Sequence, residues 1–144
     1  MRKRAVSPVI ATVLLIALVT AAAAIVFLVV MPMLKPSPDA NITVHPGSIP
    51  GTGSNRKIQV DIEAKNGNLN ITGVTAVPTS GGSELTNLDV QDAQGNSLLN
   101  TIINQDTSKT VYIVGPFSEG TQYTITLHFT SGGSTVDKTF TVTA

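Results

Sequence analysis

Two asparagines in this chain lie in the sequence pattern that accepts N-linked glycans. Asn41 is followed two residues later by Thr43, and Asn70 is followed by Thr72. The pattern N-x-[ST] marks an asparagine amide to which a sugar can be attached when the chain is exported. We therefore treat Asn41 and Asn70 as candidate glycosylation sites, against the alternative that such patterns arise by chance in a sequence rich in Asn and Thr.

The remaining polar residues do not form the pattern of a catalytic or metal site. The two histidines, His45 and His128, have no partner at metal-ligand spacing, and the acidic residues occur singly. No Asp-rich loop has the spacing for a hard cation, and the loop serines Ser48, Ser54, Ser80 and Ser83 do not lie in a nucleophile elbow. The sequence therefore predicts no enzymatic activity, no metal and no cofactor.

The charge balance also limits the classes of partner. The whole chain has nine basic and nine acidic residues, but from Pro36 onward there are five basic and nine acidic residues, a net charge of −4. Binding of nucleic acid requires a clustered basic face, so we predict no nucleic-acid partner. The chain has no cysteine, so disulfides and thiolate metal sites are excluded.

The N-terminal stretch is the longest apolar segment of the chain. No charged residue occurs between Arg4 and Lys35. A helix from Pro8 to Leu34 would be about 40 Å long, at about 1.5 Å per residue, whereas a hydrocarbon core is about 30 Å thick. We therefore expect a membrane-spanning helix, with the basic N-terminus held in the cytoplasm. An ordinary secretory signal peptide is the alternative, although its apolar region is normally only about 7 to 15 residues long.

The ends of this helix are marked by serine and proline. Ser7 can cap the first turn, and Pro8 fits the first helical position, where its missing N–H costs nothing. We therefore predict that the helix begins at Ser7 and Pro8. Because Pro32 and Pro36 interrupt helical hydrogen bonding, we predict a kink or an end between Met31 and Pro36.

The helix is apolar on every side, which suits either lipid or a bundle of identical helices. Thr12 and Thr20 are expected to bond back to carbonyls of the preceding turn. The residues expected to form the buried surface of such a bundle are Ile10, Leu14, Leu15, Leu18, Ile25 and Leu28.

The segment RAVSPVIATVLLIALV resembles the N-terminus of archaeal type IV pilins. In that family a dedicated peptidase cuts on the cytoplasmic side, after a small residue that follows a charged one. Arg4 and Ala5 match this pattern, so the resemblance implies a cut between Ala5 and Val6 that removes residues 1–5 as a leader. Bacterial type IV pilins have Glu at the fifth mature position, where this chain has Ile10, and archaeal members often lack that acid.

The resemblance implies a structural subunit of an extracellular pilus that polymerises with itself through residues 6–34 and serves adhesion. It also implies three further partners: the prepilin peptidase, the pilus assembly machinery and the cytoplasmic membrane, which holds the precursor with its N-terminus inside. Two alternatives stay open. The first is a subunit of an archaellum-type motility filament. The second is a membrane-anchored extracytoplasmic β-sandwich binding protein, which requires no cleavage.

The rest of the chain has the alternation of β-strands. Residues 35–40, KPSPDA, read as a short stiff hinge. In the following head, residues 41–144, the clearest strand is KIQVDIEA, and a slip in phase at Gly73 predicts a bulge. We expect loops at 46–56 and 79–84. Further strands are expected near 42–44, 69–74, 88–90, 98–103, 110–114 and 123–129, and a final strand follows the turn at 131–134 and ends in Phe140 and Val142.

Seven or eight short strands at this spacing predict an antiparallel, immunoglobulin-like sandwich. Tyr123 begins a strand just after a glycine-containing turn, which is the setting of a tyrosine corner, where the hydroxyl bonds to backbone upstream. The predicted fold class is therefore α+β, with a long hydrophobic helix followed by an all-β head.

Overall fold

A computed structural model describes residues 2–144, with side chains from Ser7 onward. The described chain divides into two compact units, of which the first ends at Pro36 and the second spans Ser37–Ala144. The first contains helix α1 (Arg2–Met33), and the second contains nine β-strands. The predicted order of an N-terminal apolar helix followed by an antiparallel β domain is confirmed.

Helix α1 begins earlier than the sequence indicates. Its backbone is helical from Arg2, so Ser7 and Pro8 lie inside the helix and the predicted cap at these two residues is wrong. The basic residues and Ala5 that precede Ser7 have high helix propensity, and Pro8 costs the one backbone hydrogen bond that its missing N–H would have made. The end is as predicted, because α1 stops at Met33, one residue after Pro32.

The strands of the head form two antiparallel sheets. The first sheet has the order β1-β3-β7-β5, with β2 also paired to β3, and the second has the order β6-β4-β8-β9. The strand bounds are β1 Asp39–Val44, β2 Ile49–Pro50, β3 Arg56–Lys65, β4 Leu69–Pro78, β5 Asp89–Gln91, β6 Ile102–Ile103, β7 Ser108–Gly115, β8 Gln122–Ser131 and β9 Ser134–Thr143.

The core lies between the inner faces of the two sheets. In β3 the alternate residues Ile58, Val60, Ile62 and Ala64 are fully buried, as the period of two predicts. From the second sheet, β8 contributes Ile125, Leu127 and Phe129 to the same core, and Phe129 is the largest fully buried side chain. The head is therefore a sandwich-like domain stabilised by apolar burial and ladder hydrogen bonds.

Some local features of the head match the predictions made from the sequence, and others differ from them. The predicted bulge is confirmed, because the register of β4 against β8 shifts between Ile71 and Gly73. Strand β1 begins at Asp39, within the predicted hinge. The segment expected as a strand at 98–103 is a turn followed by β6 alone, since Asn100 has a positive φ of 64° and the Thr101 amide bonds to the Leu98 carbonyl.

Candidate functional site

Helix α1 carries most of the exposed large apolar side chains of the described chain. Every side chain from Ser7 to Leu34 is exposed in the isolated chain. The six residues predicted to face neighbouring helices are all more than half exposed, namely Ile10, Leu14, Leu15, Leu18, Ile25 and Leu28. An exposed apolar surface of this extent marks a site of contact with a membrane or with protein.

The helix is long and apolar enough to cross a membrane. This property belongs to residues Ser7–Met33, a stretch of 27 residues near the N-terminus. A membrane anchor and a signal sequence share it, so helix length and composition alone do not distinguish them.

The two threonines of α1 bond to the helix itself, as the sequence predicts. Thr12 Oγ1 donates to the Val9 carbonyl at 2.7 Å, and Thr20 Oγ1 is 3.0 Å from the carbonyls of both Ile16 and Ala17. Both hydroxyls are therefore satisfied without water. The helix presents them to a lipid or protein neighbour at little cost.

Small side chains leave a shallow apolar groove along one side of α1. Its lining includes the small residues Ala22 and Ala23 and larger residues such as Val19, Val26 and Phe27. Small residues allow the backbones of two helices to approach closely in an apolar environment. The groove is thus a place where a neighbouring helix can pack.

The residues of the implied peptidase cut lie at the edge of what the structure describes. The side chains of Arg4, Ala5 and Val6 are outside the described part of the chain, although the backbone there is helical. The cut between Ala5 and Val6 therefore stays a prediction.

The two glycosylation sequons occupy different environments. Asn41 is exposed on the edge strand β1, and its Nδ2 donates to Glu63 Oε2 at 3.4 Å. Asn70 lies on β4 between β6 and β8, and its Oδ1 is buried with no hydrogen-bond partner in the described chain. Asn41 is therefore the more exposed of the two sequons, whereas Asn70 is half-buried with its amide oxygen inside the head.

Tyr123 makes the upstream backbone contact that the sequence predicts. Its hydroxyl accepts a hydrogen bond from the Ser118 N–H at 2.9 Å. Its ring lies edge-on to Phe117, with 5.1 Å between the ring centroids. Because the ring is buried and the hydroxyl is bonded, Tyr123 fastens the segment before β8 to the core.

A histidine–carboxylate pair lies on the outer face of the first sheet. His45 Nε2 is 2.8 Å from Asp61 Oδ2, and Asp61 Oδ1 accepts a hydrogen bond from the Thr110 hydroxyl at 2.6 Å. The Thr110 hydroxyl first, and then His45, hold the pKa of the Asp61 carboxyl below its usual value. These contacts favour the ionised carboxylate, so they couple the stability of the head to pH.

We expect Asp61→Asn to reduce the loss of head stability in acid. Because the folded-state pKa of Asp61 is depressed, its contribution is present above the unfolded pKa of about 3.9 and disappears as the pH falls through the folded pKa. Urea midpoints of the head measured between pH 6 and pH 2 should fall less steeply in Asp61→Asn than in the wild type. Thr110→Val should change the profile in the same direction. Thr126→Val, which removes a hydroxyl bonded only to Thr139 in the described chain, is the control and should leave the slope unchanged.

A second histidine–carboxylate pair lies on the outer face of the second sheet. His128 Nδ1 is 2.9 Å from Asp137 Oδ1, and Thr75 Oγ1 is 3.5 Å from His128 Nε2. Sequence reasoning missed this pair, although a turn at residues 131–134 places 128 opposite 137 in a tight hairpin. Among the described residues, no group of three or more His, Cys, Asp or Glu could hold a metal ion.

Comparisons with known proteins give no close relative. Neither a protein-family model nor a curated protein matches this sequence. Among solved structures, the GAE domain of yeast GGA1 is 13 % identical, with a TM-score of 0.41 and coverage of 77 % of this chain and 96 % of that one. The GAE domain of GGA2p from Saccharomyces cerevisiae is 10 % identical, with a TM-score of 0.41 and coverage of 77 % and 93 %. The thioester domain of the Enterococcus faecium TIE86 protein is 16 % identical, with a TM-score of 0.39 and coverage of 76 % of this chain and 44 % of that one. Likeness at this level does not indicate a shared function.

Proposed function

We propose that this chain is the structural subunit of an extracellular archaeal type IV pilus, a pilin that polymerises through its N-terminal helix. Residues 6–34 form the filament core, and the β head, an immunoglobulin-like sandwich, lies outside. The proposal rests on the combination of an N-terminal segment that resembles pilins with a helix that exposes apolar side chains on every side.

Burial of this helix against its neighbours stabilises the filament. At about 25 cal/mol per Å2 of apolar surface, a helix of this length contributes on the order of tens of kcal/mol relative to exposure in water, before the entropy of association is subtracted. A head-to-tail contact that does not close into a ring generates a helical array of subunits. One repeated interface is then sufficient for a fibre.

The route to the filament begins in the membrane. The precursor spans the cytoplasmic membrane with Arg2, Lys3 and Arg4 inside, and the prepilin peptidase removes residues 1–5. The assembly machinery then transfers the helix from lipid into the growing bundle. The exposed threonines, serines and asparagines of the head form the outer surface, which contacts other cells or solid supports in adhesion.

A second candidate is a membrane-anchored extracytoplasmic binding protein. The observation that favours it is that Ser7–Met33 is long enough to cross a bilayer without any neighbour. In this case α1 is a permanent anchor and residues 1–5 are retained. A motility filament of the archaellum type shares the cleaved helix, and loss of swimming on deletion would distinguish it from a pilus.

The N-terminus of the mature chain tests the proposal. Cells that produce the protein are sheared, the released material is pelleted, and the mass of the N-terminal peptide is measured. We expect the pelleted chain to begin at Val6. The Ala5→Leu variant is the control, and its uncut precursor should stay with the membranes. A wild-type chain that stays in membranes and begins at Met1 or Arg2 would instead identify the anchored binding protein.

A further inference from the structure

The chain enters the head at Ser37, and the turn between β3 and β4 holds this residue. Asn66 Nδ2 donates a hydrogen bond to the Ser37 carbonyl at 3.2 Å. Asn66 has a positive φ of 61°, a conformation that asparagine tolerates better than most side chains. The residue therefore provides the turn and the amide donor at once.

The next residue, Pro38, packs against the same turn. A Cβ built on Gly67 would lie 3.3 Å from Pro38 Cγ and 3.1 Å from Ser131 Oγ. These distances are tighter than most real Cβ contacts, so a side chain at this position would require Pro38 or Ser131 to shift by a few tenths of an ångström. Pro38 is half-buried and lies beside Gly67 of the β3–β4 turn.

The third residue, Asp39, pairs with the last strand of the head. Lys138 Nζ lies 2.6 Å from Asp39 Oδ1. Lys138 lies on the same face of β9 as Val136 and Phe140, which pack against the core, and its side chain extends toward β1. The same carboxylate oxygen accepts the Ala40 N–H at 2.9 Å, which fixes its position. The first and last strands, which belong to different sheets, are joined by this pair.

We propose that these contacts form an entry clasp, defined as Asn66, Gly67 and Lys138 acting on Ser37–Asp39, which locks the first residues of the head and keeps strand β1 from opening on its own. The clasp consists of the β3–β4 turn, which connects the two sheets, and of Lys138 on β9 of the second sheet, so it ties the entry segment to both sheets. The sequence alone predicts a hinge at 35–40, and the clasp removes 37–39 from it. This inference does not depend on the pilus, since the head of an anchored protein would contain the same contacts.

Local opening of β1 tests the clasp. Full-length protein in detergent micelles is compared by hydrogen–deuterium exchange with the double variant Asn66→Gly, Lys138→Met. Glycine retains the positive φ and removes only the amide, and methionine retains the length of lysine and removes only the charge. We expect exchange in peptides that cover residues 38–44 to be at least about tenfold faster in the double variant, with β4 and β7 unchanged.

Two further variants make the test specific. Gly67→Ala displaces Pro38 without removing any charge or donor, and it should accelerate exchange in the same peptides. Asp137→Asn is the matched control, since residue 137 is next to Lys138 but pairs with His128 on the outer face; it should leave residues 38–44 unchanged. Acceleration below twofold in the double variant, or uniform acceleration throughout the head, overturns the proposal.

Discussion

The Leu15→Asp variant is expected to form no filaments. Leu15 lies within the apolar stretch Ser7–Met33, near the middle of α1, and is 61 % exposed in the isolated chain, so in a bundle or a bilayer it contacts apolar neighbours. A carboxylate at the centre of a membrane helix costs about 2.5 to 3.5 kcal/mol, and every subunit of the polymer would carry this cost. Negative-stain microscopy and the amount of protein in the sheared pellet measure the effect.

The control for this variant preserves the apolar surface. Leu15→Met keeps volume and hydrophobicity, so filaments should form in wild-type amounts. The membrane fraction of Leu15→Asp is assayed in parallel, because the remaining apolar residues are sufficient to insert the precursor. Filaments of normal number and width from Leu15→Asp would show that α1 does not form the filament core.

The Phe129→Ala variant is expected to lower the free energy of unfolding of the head by about 3 to 5 kcal/mol. Phe129 is fully buried on β8, between Ile71 of β4 and Val136 of β9 in the strand register. Its truncation removes transfer free energy and leaves a cavity that the two sheets cannot close. The whole free energy of unfolding of a domain of this size is only about 5 to 15 kcal/mol. Urea unfolding of residues 37–144, followed by circular dichroism, measures the loss.

Thr130→Ala is the matched control for the core prediction. Thr130 is the next residue of β8 and lies on the outer face of the sheet, where a substitution normally changes stability by no more than about 0.5 kcal/mol. A loss below about 1 kcal/mol in Phe129→Ala would mean that the two sheets do not pack around this ring.

Much of the fold could be predicted because its signals are local. The apolar run of α1, the alternation in β3 and β8, and the phase slip at Gly73 each depend on residues within one strand or helix. The contact of Tyr123 with Ser118 spans five residues, and its setting after a glycine-containing turn was a sufficient signal.

The remaining features depend on contacts that a single strand does not encode. The pairing of Asp39 with Lys138 joins the two ends of the head, and that of His45 with Asp61 depends on the register of β1 against β3. The sequence places the start of α1 at Ser7, because a serine before a proline is a common helix cap. The helix propensity of the residues upstream outweighs that signal.

In the proposed pilus, the internal hydrogen bonds of Thr12 and Thr20 bear on the reversibility of assembly. A helix whose hydroxyls are already satisfied loses no hydrogen bond when it moves from lipid into a bundle, and lipid chains are about as apolar as leucine side chains. Within the proposed pilus, transfer from membrane to filament then moves the helix between two apolar environments, and the hydrophobic free energy of the helix changes little. Packing and the work of the assembly machinery set its direction, whereas release of a subunit into water carries the full hydrophobic penalty. A subunit of this kind returns to the membrane far more readily than it dissolves.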